Sequence, residues 1–404
     1  MKTMRFVIIL AVIVGTVGGC WAAEKADTNE KPSKEIVVKG NNQFALDLYG
    51  KLREEEGNLF FSPYSISTAL ALAFAGARGR TESQMADVLH FPVDINPNGD
   101  TSTLVSDRRL FADTFGRIVA DLNERGEEGG YELTIANALW LQEGYEFLDE
   151  FLELIKNNYD GQLNEVDFIA ATEKTRKTIN TWIEDKTNDK IKELIKPGVL
   201  DSMTRLVLTN AVYFKGNWAR QFKEDKTKDA PFTLASGQKV DVPIMNQTAE
   251  FNYLETEHFQ ALELPYVDEE LSLIVLLPRD FNGLDELEKT LNAENLSKWL
   301  SGLRKSEVVV SIPKFKTTSQ FSLASVLKSM GMVDAFTDAA DFSGMNGGRD
   351  LSISAVIHKA YVDINEEGTE AAAATAVTIR LTSMGPTPTP VFRADHPFLF
   401  LIRD

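Results

Sequence analysis

The chain has 404 residues but only one cysteine, Cys20, and four histidines, His90, His258, His358 and His396. One cysteine near the start leaves the body of the chain without a disulfide and without a thiol nucleophile. No G-x-S-x-G is present to carry a serine on a strand-to-helix elbow, so a hydrolase of that type is excluded. There is no H-E-x-x-H and no cysteine pair for zinc, no P-loop and no G-x-G-x-x-G; Gly344, Gly347 and Gly348 sit in a polar stretch and read as a turn. Basic residues are also scarce: 42 Lys and Arg against 60 Asp and Glu give a net charge of −18 with no basic cluster. Nucleic acid is therefore not a partner, and neither is a heparin-like polyanion, because both need arrays of Lys and Arg. No catalytic residue, metal or cofactor is expected, and the chain reads as something other than an enzyme.

What is present begins with a charged and apolar leader. Lys2 and Arg5 precede an apolar run from Phe6 to Val17, too short to span a bilayer with ease, followed by Gly18, Gly19 and Cys20. This predicts export, with residues 1–19 as a signal segment. Val17-Gly18-Gly19-Cys20 resembles a bacterial lipobox, which would make Cys20 a lipid-anchored first residue. The other reading is ordinary cleavage near Ala22 or Ala23, and the location is then extracellular or in the cell envelope. Residues 20–38, polar and charged with Pro32, read as a flexible tether before a single domain over 39–404, though Ile36, Val37 and Val38 have the character of residues that touch a folded body.

Along that domain the apolar content, 43%, permits a sizeable core. Phe44, Leu48 and Leu52 fall on one helical face over 41–52. Ser62 before Pro63 is a helix start, a hydroxyl cap followed by proline where no N–H is needed, and the apolar run at 69–77 predicts a buried helix. Residues 134–141, 206–214, 271–277, 308–315 and 398–402 read as strands, and 178–197 and 321–330 as helices ended by Pro197-Gly198 and Gly331. The mixed order of strands and helices indicates an α+β fold.

Residues 366–390 have a different character. Glu366, Glu367 and Gly368 lead through Thr369 and Glu370 into Ala371, Ala372, Ala373, Ala374 and Thr375, with no charge up to Ile379 and three prolines beyond Met384. Alanine favours a helix, whereas Thr375, Val377, Thr378 and Ile379 disfavour one. As a strand, the stretch puts Thr369, Ala371, Ala373, Thr375 and Val377 on one face, free of charge and bulk before Val377, which would slide between existing strands. A flexible Ala-rich surface linker is the third reading. A structureless loop of about twenty residues in a compact domain points to function.

Glu366-Glu367-Gly368-Thr369-Glu370 with its alanines resembles the hinge of serpins, and the residues around Phe392, His396 and Phe398 resemble the serpin C-terminal signature. Stretches after Ala75 and Lys215 also resemble the family, in order, from about residue 41 to 404. The resemblance implies three β-sheets, eight or nine helices and an exposed reactive-centre loop at 366–390. It implies a polar shutter of Ser62, Ser65, Asn210 and His358, a breach at Trp218, and an ion pair between Lys314 and Glu366, which as a surface pair would be worth little. Family spacing implies a reactive bond at Thr382–Ser383, with Leu381 and Ile379 in subsites. That residue suits elastase-like or subtilisin-like serine proteases, while Arg380 offers a trypsin-like alternative. The expected partner is a serine protease held as a covalent acyl-enzyme, and the inhibitor itself is expected to be a monomer. A non-inhibitory member, acting as carrier, chaperone or storage protein, is the alternative.

Overall fold

The structure, a computed structural model, describes residues 6–10, 34–54, 57–91, 114–118, 120–122, 124–125, 131–158, 162–367 and 388–404. Its strands are β1 (Phe6–Leu10), β2 (Leu59–Phe61), β3 (Tyr131–Gln142), β4 (Gln162–Val166), β5 (Leu206–Gly216), β6 (Lys228–Thr233), β7 (Lys239–Glu255), β8 (Phe259–Pro265), β9 (Ser272–Pro278), β10 (Arg304–Pro313), β11 (Phe315–Ser322), β12 (Ala355–Ile364), β13 (Val391–Arg393) and β14 (Phe398–Arg403). A five-stranded sheet has the order β11-β12-β5-β3-β4. A nine-stranded network runs β13-β10-β7-β8-β9-β14-β1-β2, with β6 also on β7. The long β7 belongs to two sections of it, pairing β6 and β10 over most of its length and β8 near its end. Those two sections and the five-stranded sheet account for the three sheets expected, and the α+β class holds.

One helix organises the interior. Helix α2 (Pro63–Phe74) starts at Ser62, whose side chain accepts the Ser65 N–H, with Pro63 in its first turn. All twelve of its residues are buried, as an apolar surface all round requires. It packs on β3 and β5 and on helix α1 (Lys34–Leu52). A second apolar cluster, including Phe214, Trp218, Tyr266, Val310 and Phe400, fills the space between the two sheets. A third lies on the other face of the five-stranded sheet, beneath the helix Phe168–Lys186 and the segment after it. Trp140 anchors that helix: its Nε1 donates to Thr209 Oγ1 at 2.8 Å and its ring meets Trp182 edge-on at 5.6 Å.

Several boundaries differ from the sequence reading. Helix α1 begins at Lys34, inside the segment read as tether (20–38), and buries Val37 and Val38. The helix expected over 178–197 runs instead from Phe168, capped by Asp167, to Lys186. Asn188, Asp189 and Glu193 take positive φ and end it, and Ile191, Leu194 and Ile195 reach the core from an irregular segment. The helix expected from 321 starts at Ala324, because the residues before it form β11. Part of the expected leader, β1, lies parallel to and between β14 and β2.

Candidate functional site

The five-stranded sheet contains one pairing that the rest of the site is built around. β12 and β5 are parallel neighbours in register over eight residues, from Ala355↔Val207 to Val362↔Phe214. Their outer partners, β11 on β12 and β3 on β5, are antiparallel. Parallel ladders are slightly weaker per residue than antiparallel ones; this sheet has two, β3–β4 at its edge and the β12–β5 seam in its interior, and only the second lies between two antiparallel pairs.

Beneath the middle of the seam sits a polar cluster sealed from water. His358 and Asn210 are register partners across it, and Asn137 of β3 is the register partner of Asn210 on the other side. Ser62, Ser65 and His358 are wholly buried and Asn210 nearly so. The Ser62 N–H donates to His358 Nε2 at 3.1 Å. Nε2 must therefore carry a lone pair, and the proton sits on Nδ1, which donates to Asn210 Oδ1. Asn210 Nδ2 in turn donates to Ser65 Oγ and to Asn137 Oδ1, and Ser65 Oγ lies 3.5 Å from Asn137 Oδ1. Each polar atom thus has a partner, as burial demands. Burial of the whole ring pushes the His358 pKa down to about 3, so it stays neutral. The cluster ties β12 to β5, β3 and the start of α2. All four residues named from sequence come together in it. Asn137, which the sequence reading missed, is the fifth member; its one signal is an amide in an otherwise apolar strand.

At the upper end of the seam β12 ends at Ile364 and the chain turns through Asn365 and Glu366. Trp218 Nε1 donates to the Asn365 carbonyl at 2.7 Å. The Trp218 ring stacks on Tyr266 at 4.6 Å and 10°. Gly216 allows this approach, since a Cβ there would lie 2.4 Å from the Tyr266 ring. Glu366 is clamped: Lys314 Nζ donates to Oε2 at 2.5 Å and Thr227 Oγ1 to Oε1 at 2.7 Å. Burial alone would raise its pKa, but the Lys314 and Thr227 hydrogen bonds outweigh that and hold it below the ordinary carboxylate value. The Lys314–Glu366 pair is therefore not the surface pair expected, because Glu366 is only 4% exposed. Glu367, by contrast, is exposed and pairs with Lys215 at 3.1 Å. The remaining hinge residues from Gly368 to Thr375, the expected reactive bond Thr382–Ser383, the alternative Arg380, and Cys20 lie outside the described residues.

The opposite face of the seam is covered. Ile191, Leu194 and Ile195 pack with Val207 and Ala211 of β5 and with Ala355 and Ile357 of β12. Lys359 Nζ donates to the Lys192 carbonyl at 2.5 Å, and Gln320 Nε2 to the Leu194 carbonyl at 2.8 Å, so this segment is tied to β12 and β11.

Comparison with known proteins gives a consistent result. A family model described as Serpin (serine protease inhibitor) matches residues 39–404. The chain is 43% identical over 380 residues to a leukocyte elastase inhibitor of Xenopus tropicalis, covering 91% of this chain and 96% of that protein. It is 40% identical over 382 residues to an uncharacterized serpin-like protein of Thermococcus kodakarensis, covering 94% of this chain and 85% of that one. Among solved structures, uncleaved ovalbumin superposes with a TM-score of 0.80 at 31% identity, covering 91% of this chain and 95% of that chain.

Proposed function

The chain belongs to the serpin family, and we propose that it inhibits serine endopeptidases by being cut once in the loop after Glu366 and inserting the freed strand into its own sheet. The observation that carries this reading is the direction of the seam. β12 runs up to Ile364 and turns at Asn365 and Glu366, so a chain folding back from there runs antiparallel to β12. Because β5 is parallel to β12, the same returning strand is also antiparallel to β5. One insertion thus replaces one parallel ladder by two antiparallel ones. The uncharged run from Ala371 to Ile379 suits a strand that must pass between two others, and strand addition of this kind is a known switching mode.

Each step follows from ordinary chemistry. The protease serine attacks the scissile carbonyl and forms an acyl-enzyme. Cleavage releases the strand, which enters the seam and carries the attached protease with it. Deacylation then slows, because a displacement of ~1 Å can cost ~10²-fold in rate. The seam cluster and the Glu366 clamp hold the uncut state, and both keep the loop's start at the top of the seam. The reactive bond is Thr382–Ser383, and elastase-like or subtilisin-like proteases are the targets. The protein acts as a monomer, and the relatives named as leukocyte elastase inhibitors support that target class. The leader and Cys20 support an exported, lipid-anchored form; removal of the leader would take β1 out of its sheet.

The test is to mix the protein with elastase, subtilisin, trypsin and chymotrypsin, run denaturing gels, and weigh the released C-terminal peptide. A complex that survives denaturation, with a peptide beginning at Ser383, is expected. A peptide beginning at Leu381 moves the reactive bond to Arg380. Cleavage by all four proteases with no stable complex overturns the inhibitory reading in favour of a carrier, chaperone or storage role.

A further inference from the structure

Two tyrosines meet across the same seam. Tyr213 of β5 and Tyr361 of β12 are register partners. Their rings stack with centroids 5.4 Å apart and planes 21° from parallel. Side chains alternate along a strand, so both stand on the face that carries Val207, Ala211, Ala355 and Ile357, opposite to His358 and Asn210. Tyr213 is buried and Tyr361 half-buried. A third group steadies the pair: Lys190 Nζ lies 5.6 Å from the centre of the Tyr213 ring. Lys190 belongs to the covering segment whose neighbours Lys192 and Leu194 are tied to β12 and β11.

We propose that the Tyr213–Tyr361 pair is a clasp that sets how fast a strand enters the seam, which makes both tyrosines positioning residues for insertion. The inference rests on the insertion reading above. Adjacent strands lie ~4.8 Å apart, so a strand between β5 and β12 puts their backbones nearly ~10 Å apart. Rings stacked at 5.4 Å do not remain in contact across that distance. The ladder hydrogen bonds of the seam are replaced by new ones as a strand enters, but the ring contact has no replacement. Its position matters as well. Tyr361 is three residues short of the end of β12, so the rings must part when only the first few residues have entered. An attraction lost that early, and specific to ring geometry, falls on the barrier to insertion. A few-fold to tenfold change in rate is the scale on which one such contact acts.

The experiment uses the full chain and a synthetic peptide of residues 368–379, whose uptake is followed by native-gel mobility. Tyr213→Leu, Tyr361→Leu, the double variant and the two Phe variants are compared with the unaltered protein. Each Leu variant should take up peptide about 3–10-fold faster. The double variant should be no faster than either single one, because losing one ring already dissolves the pair. Both Phe variants should keep the original rate, since they retain the rings. Leu variants that match the original rate overturn the proposal, as does a double variant in which the two accelerations multiply, the mark of two independent structural losses. If the unaltered protein takes up no peptide, the insertion reading itself falls and this inference with it, whereas uptake with unchanged variants refutes the clasp alone.

Discussion

Lowering the pH should loosen the seam through one residue, His358. The ring is wholly buried, and its pKa is pushed from the ordinary 6.5 to about 3. Its Nε2 accepts the Ser62 N–H, so protonation both charges a sealed ring and removes that bond. The folded-state value lies below the unfolded one, and the unfolded chain therefore binds the proton more readily. The stabilisation is complete above pH 6.5 and is lost progressively as pH falls toward 3. A difference of 3.5 units at ~1.36 kcal/mol each corresponds to about 5 kcal/mol over the whole window, and about 2 kcal/mol of it is gone by pH 5. The assay is urea unfolding followed by tryptophan fluorescence at pH 8 and pH 5, for the protein and for His358→Gln. Other titrating groups are common to both chains and cancel in the comparison. The protein should lose about 2 kcal/mol more than the variant between the two pH values. Equal losses in both would refute the reasoning, because the buried neutral imidazole would then not be the group that couples protons to the fold.

Three further outcomes follow from the same geometry. Lys314→Met leaves the buried Glu366 carboxylate with Thr227 as its one remaining side-chain donor among the described residues, and after allowance for the exposure of Lys314 the thermal unfolding free energy should drop by about 1–2 kcal/mol; an unchanged melting temperature would contradict the clamp. Trp218→Phe keeps a ring against Tyr266 but removes the donor to the Asn365 carbonyl, which should cost about 1 kcal/mol in urea unfolding. Thr369→Arg or Ala371→Glu should convert the inhibitor into a substrate that is cut and released, visible as loss of the denaturation-resistant complex; retention of the complex by both variants would mean that the hinge does not have to pass between strands.

The parts of the fold legible in the sequence are those whose cause is local. Ser62-Pro63 announces α2 because cap and first turn are adjacent residues, and the apolar strands β5, β9 and β14 announce themselves by composition. β7 was not foreseen, since most of its residues alternate between exposed and half-buried positions and include Pro243 and several polar side chains. The spacing of Ile191, Leu194 and Ile195 mimics a helical face, yet the positive φ values at Asn188, Asp189 and Glu193 turn the same spacing into a cover for the sheet. The seam cluster was legible through resemblance for Ser62, Ser65, Asn210 and His358. Asn137 was not, because its partner Asn210 lies 73 positions away and nothing near it in the chain calls for an amide. The burial of Glu366 escaped for the same reason: Glu366-Glu367-Gly368 reads as exposed, and the groups that bury and satisfy Glu366 are 52 and 139 positions distant.

The parallel seam also has a consequence for dose. On the proposed mechanism the parallel pairing of β5 with β12 admits one additional strand, and once that strand is in, the pairing no longer exists. An inhibitor that acts by the proposed insertion works a single time, like a fuse. On that mechanism its capacity is counted in copies rather than turnovers, and the amount of protease it stops is set by how many intact chains are present when the protease arrives.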